Sequence, residues 1–251
     1  LFATVQSDTI MSFDSNREIL TEMDILNKDY STDVDRTFKH TRWLLQILGV
    51  WPMLSKNAKK WEIYLSKIML VFCWSIMSIF MVPGTLYVLF IEKDVIAKLR
   101  LILPLSFSYT NTVKYCSIIF HREMIRGCIN HVELDWSQIQ SKTDHEIMSR
   151  NVNIGRRLTL ICATFMYTGG LSYQAIMPLW RGTEKNELNE TLWPLIYPFY
   201  NGFVDAQRTP YFQIIFCGSC LWACIGFTIT TAACNLAATF VAHTCGQIEI
   251  M

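Results

Sequence analysis

Four predominantly apolar stretches alternate with polar segments along the chain. The longest charge-free run, 209–248, contains no Asp, Glu, Lys or Arg. A hydrocarbon core of about 30 Å needs roughly 20 apolar residues as helix, so this run predicts a membrane span with turns to spare. Gly218, Ser219, Ala223, Gly226, Ala232, Ala233, Ala237 and Ala238 recur through it. Such small residues let helices approach closely in lipid. A soluble domain has no means of burying this helix on every side. The other spans are predicted at about 68–91, 97–120 and 158–180, with the fourth at about 210–243. The first carries Pro83-Gly84, which should kink it. The third has Gly169-Gly170 at its middle. The second has an uncharged core over 101–113 and is then interrupted by Lys114. An intramembrane lysine is a functional candidate by default. One near the inner end of a span can also snorkel to the head groups, which is the ordinary reading here.

The pattern ahead of the first span is different. Residues 1–37 are polar and acid-rich, without the 7–15-residue apolar core of a signal peptide. The chain begins at Leu1, and Met11 is a plausible start. Within FKHTRWLLQILGVWP, residues Phe38, Trp43, Leu44, Ile47 and Leu48 fit one helical face, with Lys39, His40 and Arg42 opposite. That predicts a short helix near 38–48 lying at the membrane surface, stopped by Gly49 and Pro52. The expected organisation is an N-terminal segment, 1–67, followed by a transmembrane helical domain, 68–251. The fold class is all-α, a multi-pass membrane bundle.

Composition agrees with this pattern. The chain has 251 residues, 51% of them hydrophobic and 17% charged, with mean hydropathy +0.25. Soluble domains average about 25% charge. A net charge of +1 gives no reason to expect nucleic acid as a partner. Orientation follows from Lys and Arg. Nine precede the first span and six lie in 121–157, against six in the alternate segments. The N-terminus should therefore be cytoplasmic. Asn189-Glu190-Thr191 is an N-x-S/T sequon in the 181–209 loop, placed outside by that count, so Asn189 is a glycosylation candidate. None of the nine cysteines falls in that loop, and a disulfide framework is not expected.

The sequence shows no catalytic spacing. The five histidines show no HxxxH or HExxH pattern, and Cys217 and Cys220 form a CxxC without a second pair. No metal site is expected. Asp144-His145-Glu146 reads as a solvated charged loop in the polar connection. There is no GxSxG elbow and no phosphate-binding glycine loop. We therefore expect no catalytic residues and no cofactor. What remains is an apolar cavity between the outer halves of the second, third and fourth spans. The candidates there are Phe107, Tyr109 and Thr110; Tyr167, Gly170 and Tyr173; and Phe212 and Phe216. Aromatic walls with a few hydroxyls and glycine-made space suit a small apolar ligand. Each residue taken singly is better explained by helix-on-helix packing.

Two motifs carry a resemblance. Leu48-Gly49-Val50-Trp51-Pro52 resembles the "lGlWP" motif that precedes the first span in insect odorant receptors. His243-Thr244-Cys245-Gly246-Gln247-Ile248-Glu249 resembles their "H-x-C-G-Q-h-E" end of the fourth helix. Together with span spacing and the long loop before the fourth span, the resemblance covers 38–251, and it is to the expanded type of social Hymenoptera. It implies a seven-helix, odorant-gated cation channel, inverted relative to G-protein-coupled receptors. Such a channel works as a hetero-tetramer with an odorant co-receptor subunit in the plasma membrane of olfactory neuron dendrites. The implied ligand is a small volatile apolar molecule, held in the outer halves of the second, third, fourth and sixth helices. Lipid surrounds the bundle. Against that pattern the chain stops after the fourth of seven helices, so it reads as a partial sequence. A gustatory receptor channel is the nearest alternative, and a non-catalytic four-helix membrane protein is the reading if the chain is complete.

Overall fold

The computed structural model describes residues 30–55, 58–176 and 210–251, together with Trp180 and the pairs 184–185 and 191–192. The predicted sequon at Asn189 and most of the 181–209 loop lie outside these residues.

Helix α1 (Tyr30–Ile47) buries Thr37, Phe38, Thr41, Leu44 and Leu45 on one face, the spacing of an amphipathic helix. It ends at Gly49, whose φ is +72°. The Val50 N–H bonds the Leu45 carbonyl at 2.8 Å and the Gly49 N–H bonds that of Gln46 at 3.0 Å. This pair of bonds is the Schellman closure that a left-handed glycine permits. The helix does not continue through Pro52, as expected. Pro52 sits in the first turn of a short helix, α2 (Trp51–Leu54), where its missing N–H has no intrahelical partner to lose.

Helix α3 (Lys60–Leu86) starts with the Glu62 carboxylate accepting the Lys59 N–H at 3.0 Å. It contains Pro83 and passes into a π-helical turn, Tyr87–Ile91. Proline within a helix removes a backbone donor, and the widened turn just beyond accommodates that loss. Helix α4 (Val95–Phe120) is capped by Asp94, which accepts from the N–H groups of Ile96 and Ala97, both at 3.2 Å. Helix α5 (Arg122–Gln138) follows after one residue. Helix α6 (Lys142–Leu171) is capped by Ser141 and ends in a second π-helical turn, Ser172–Ile176. Strand β1 (Glu184–Lys185) pairs antiparallel with β2 (Thr191–Leu192). Helix α7 (Tyr211–Ile250) completes the described chain.

Three features differ from the sequence-based expectation. The 121–157 connection is not a loop: it is α5 and the first half of α6. Hydropathy marks only the apolar half of α6, whereas backbone hydrogen bonding continues through the amphipathic half. Helix α1 is not merely laid on a surface. Phe38, Leu44 and Leu48 are buried in the bundle, while Trp43 and Ile47 remain exposed. Finally, His145 is no free loop residue, since its Nε2 lies 2.9 Å from the Asp33 carboxylate of α1.

Helix α7 is the centre of the bundle, packed along α6 and touched by α1, α3 and α4. Close approach needs glycine at two places. A Cβ at Gly155 would stand 2.9 Å from that of Ala242, and one at Gly246 would stand 2.6 Å from the Met148 sulfur. Among the described residues, α3 with its π-helical turn and α7 are long and apolar enough to cross a bilayer. Only 17% and 39% of their most apolar windows are buried. A soluble protein's core helix would be mostly buried, so these apolar faces call for lipid or further helices.

Candidate ligand-binding site

A cavity of about 560 Å³ lies between α3, α4, α6 and α7. The volume falls inside the usual small-molecule range of ~300–1,000 Å³. From α4 come Leu103, Pro104, Phe107, Ser108 and Asn111; from α6, Phe165, Met166 and Gly170, followed by Tyr173 and Gln174 of its π-helical turn. Helix α7 contributes Trp222, Ala223, Gly226 and Phe227, and α3 contributes Met77. On α4 the lining residues recur three and four apart, as one helix face must. Leu103, Phe165 and Tyr173 are exposed and form the rim, while Met77, Ser108, Asn111 and Trp222 are buried at the floor. Arg100 is the only charged side chain among the described lining residues, and it is exposed at the rim.

The aromatic walls hold one another. The Phe227 ring lies 5.7 Å from that of Phe107 and 6.1 Å, edge to face, from that of Tyr167. Phe227 also covers Gly170, where a Cβ would come within 2.1 Å of the ring. The π-helical turn after α6 re-aims Gln174, whose Nε2 donates to Ser219 on α7 at 3.0 Å.

Of the eight residues expected from the sequence, Phe107, Gly170 and Tyr173 line this cavity. Tyr167 stands behind it, its hydroxyl 2.8 Å from that of Thr228. Tyr109 faces α3, with its hydroxyl 3.0 Å from Thr85. Thr110 is exposed and bonds its own helix at the Ser106 carbonyl, 2.8 Å away. Phe212 and Phe216 stack on each other at 6.0 Å, nearer the start of α7. Asn111, Trp222, Gly226 and Phe227 were not expected in this wall. Asn111 was within reach of a helical-face reading from Phe107. Those on α7 lie deeper than its first three turns, and no local signal marks that depth.

The two motifs sit away from the cavity, at the end of the bundle that carries α1. The Leu48 carbonyl accepts the Tyr115 hydroxyl at 2.7 Å, and the Gly49 carbonyl accepts the Ser66 hydroxyl. Arg126 of α5 donates to the carbonyls of Met53 and Leu54 at 2.7 and 3.1 Å. Arg42 lies 5.3 Å over the Trp51 ring. The first motif and the two residues that follow it therefore tie α1, α2, α3, α4 and α5 together. In the second, His243 Nε2 is 2.9 Å from Asp135 on α5, and Glu249 accepts from Arg150 and Asn151 on α6.

Lys114 has a specific partner. Its ammonium donates to the Thr230 hydroxyl at 3.4 Å, and Thr230 donates to Asn111 Oδ1 at 2.5 Å.

The family model described as 7tm Odorant receptor matches residues 95–251, more than half of the chain. The chain belongs to the 7tm odorant receptor family. The match starts at the first residue of α4, so three of the four cavity walls and the His243–Glu249 motif lie inside it. Leu48–Pro52 and Met77 lie before it. Membership makes this a membrane protein of receptor type and implies an odorant ligand. Among curated proteins none matches the chain.

Proposed function

We propose that this odorant receptor chain is the odorant-binding, tuning subunit of a heteromeric ligand-gated cation channel. It acts without catalysis, in the plasma membrane of olfactory neuron dendrites, beside a co-receptor subunit and with its N-terminus cytoplasmic. The observation that carries the reading is the apolar cavity between α3, α4, α6 and α7, which has an exposed rim and a buried floor. The cation channel and its hetero-tetrameric form rest on the family resemblance.

The cavity's energetics suit a volatile. Burying a ten-carbon molecule at about 0.8 kcal/mol per CH₂ supplies ~6–8 kcal/mol, a dissociation constant near micromolar. Contacts of this kind are largely non-directional, so wall shape sets tuning. Gating then follows from differential affinity for closed and open arrangements. The test is odorant-evoked current from the receptor expressed with the co-receptor subunit. Phe107→Ala, in the wall, should change which odorants activate it by about tenfold or more in half-maximal concentration, the scale of a lost aromatic contact. Tuning that stays the same in Phe107→Ala would remove this cavity as the odorant site.

A further inference from the structure

Two buried polar groups in the cavity wall, the Ser108 hydroxyl and the Asn111 NH₂, have no partner among the described residues. Ser108 and Asn111 are each 1% exposed, and both line the cavity. Folded proteins leave few such groups, because each carries the desolvation cost with no compensating bond. A mid-helix hydroxyl usually turns to the carbonyl one turn back. Thr110 and Thr112 on the same helix do this, at 2.8 and 3.0 Å. Ser108 does not.

The neighbours of Asn111 decide which end of its amide is left over. Thr230 carries one hydroxyl proton, and its oxygen already receives a proton from the Lys114 ammonium. An ammonium has donors only, so Thr230 must accept there and spend its own proton on Asn111. The Asn111 oxygen is thereby engaged, and its NH₂ is the free group. Reversing the amide would strand the Thr230 proton against a second donor. Lys114 and Thr230 thus hold a donor in place at the cavity floor. Beside it stands Gly226, where a Cβ would come within 3.2 Å of Asn111 Nδ2. Ser108, three residues back on α4, shares the face.

We infer that the cavity takes an apolar molecule bearing one hydrogen-bond-accepting oxygen, a ketone, aldehyde or ester carbonyl, seated against the Asn111 amide and the Ser108 hydroxyl. This rests on the odorant-binding reading and names the chemical class of its ligand. A carbonyl oxygen has two lone pairs and accepts from both groups at once. The apolar body then extends to the rim at Leu103 and Phe165, which are 72% and 74% exposed. Arg100 stands at that rim in contact with solvent, so it favours a charged ligand little over its hydrated state.

The sign of one comparison is diagnostic. In a cavity without an anchor, a ketone binds more weakly than the alkane of equal size, because its oxygen gives up water for nothing. With the anchor, the order reverses. The experiment is calorimetric titration of the purified full-length receptor in lipid nanodiscs, with a ten-carbon methyl ketone and the alkane of equal heavy-atom count. The ketone should bind about tenfold tighter, the scale of one good hydrogen bond. Asn111→Leu should erase that advantage. Thr230→Val should reduce it, because the amide loses its orientation. Ser108→Ala gives the same readout if Asn111→Leu does not fold. An alkane that binds the wild-type receptor as tightly as the ketone overturns the anchor alone. So does a ketone preference that survives both α4 variants. Failure of both probes to bind overturns the odorant-cavity reading itself, and the anchor with it.

Discussion

Gly170→Ala is the smallest change that should alter the cavity. A Cβ built on Gly170 lies 2.1, 2.4 and 2.7 Å from three atoms of the Phe227 ring. Ordinary carbon contacts are about 3.5–4.0 Å, so the ring tip must move by about 1.5 Å. The ring is not free to move. Phe107 lies on one side of it at 5.7 Å and Tyr167 on another at 6.1 Å, with Tyr167 itself held by Thr228. Moving it forfeits aromatic contacts of about 0.5–1.5 kcal/mol each, and overpacking of this kind costs ~1–3 kcal/mol in all. Taken from the binding-competent arrangement, that is a loss of roughly 5–150-fold in affinity. The loss should be greatest for odorants long enough to reach Phe227. The assay is a dose–response series of short and long odorants on the receptor with its co-receptor subunit, with surface expression measured alongside. The double variant Gly170→Ala with Phe227→Leu should recover much of the loss, because the smaller side chain vacates the contested space. Half-maximal concentrations that match wild type for every odorant at equal expression would refute the reasoning.

Two further outcomes concern the other end of the bundle. Gly49→Ala should lower the thermal stability of the detergent-solubilised receptor: φ of +72° costs an L-residue about 1–2 kcal/mol, and the added Cβ meets the Ser66 carbonyl oxygen at 2.7 Å. An unchanged melting temperature would contradict that. Burial, with Arg156 and Lys39 beside it, lowers the His40 imidazole below its ordinary 6.5. The folded state therefore takes up the proton less readily than the unfolded one. Its contribution is present above about pH 6.5 and is lost as pH falls towards the folded value. Melting temperature should drop between pH 7.5 and 5.5 by less in His40→Gln than in wild type, and equal drops would exclude His40 as the cause.

Much of the architecture was legible along the chain. Apolar length marked α3 and α7, because a hydrocarbon core demands runs that few other structures need. The helix through Phe38 and its stop at Gly49 followed from periodicity and from glycine's freedom at positive φ. Phe107, Gly170 and Tyr173, expected together from the sequence, do line one apolar cavity. The polar helices α5 and the first half of α6 were hidden, since their amphipathic pattern is what a solvated connection also shows.

Depth and rotation were beyond the sequence. Whether Tyr109 or Asn111 faces the cavity depends on how α4 turns against α3 and α7, and packing against those helices sets that turn. Met77 joins the floor although nothing near it in sequence marks a site. Lys114 reads alone as a snorkelling cation, and only the approach of Thr230, 116 residues away, gives it a partner. Local composition determines which segments become helices and how far they reach, because those are short-range energies. Which side chains share a cavity is a property of several helices at once, and only their packing decides it.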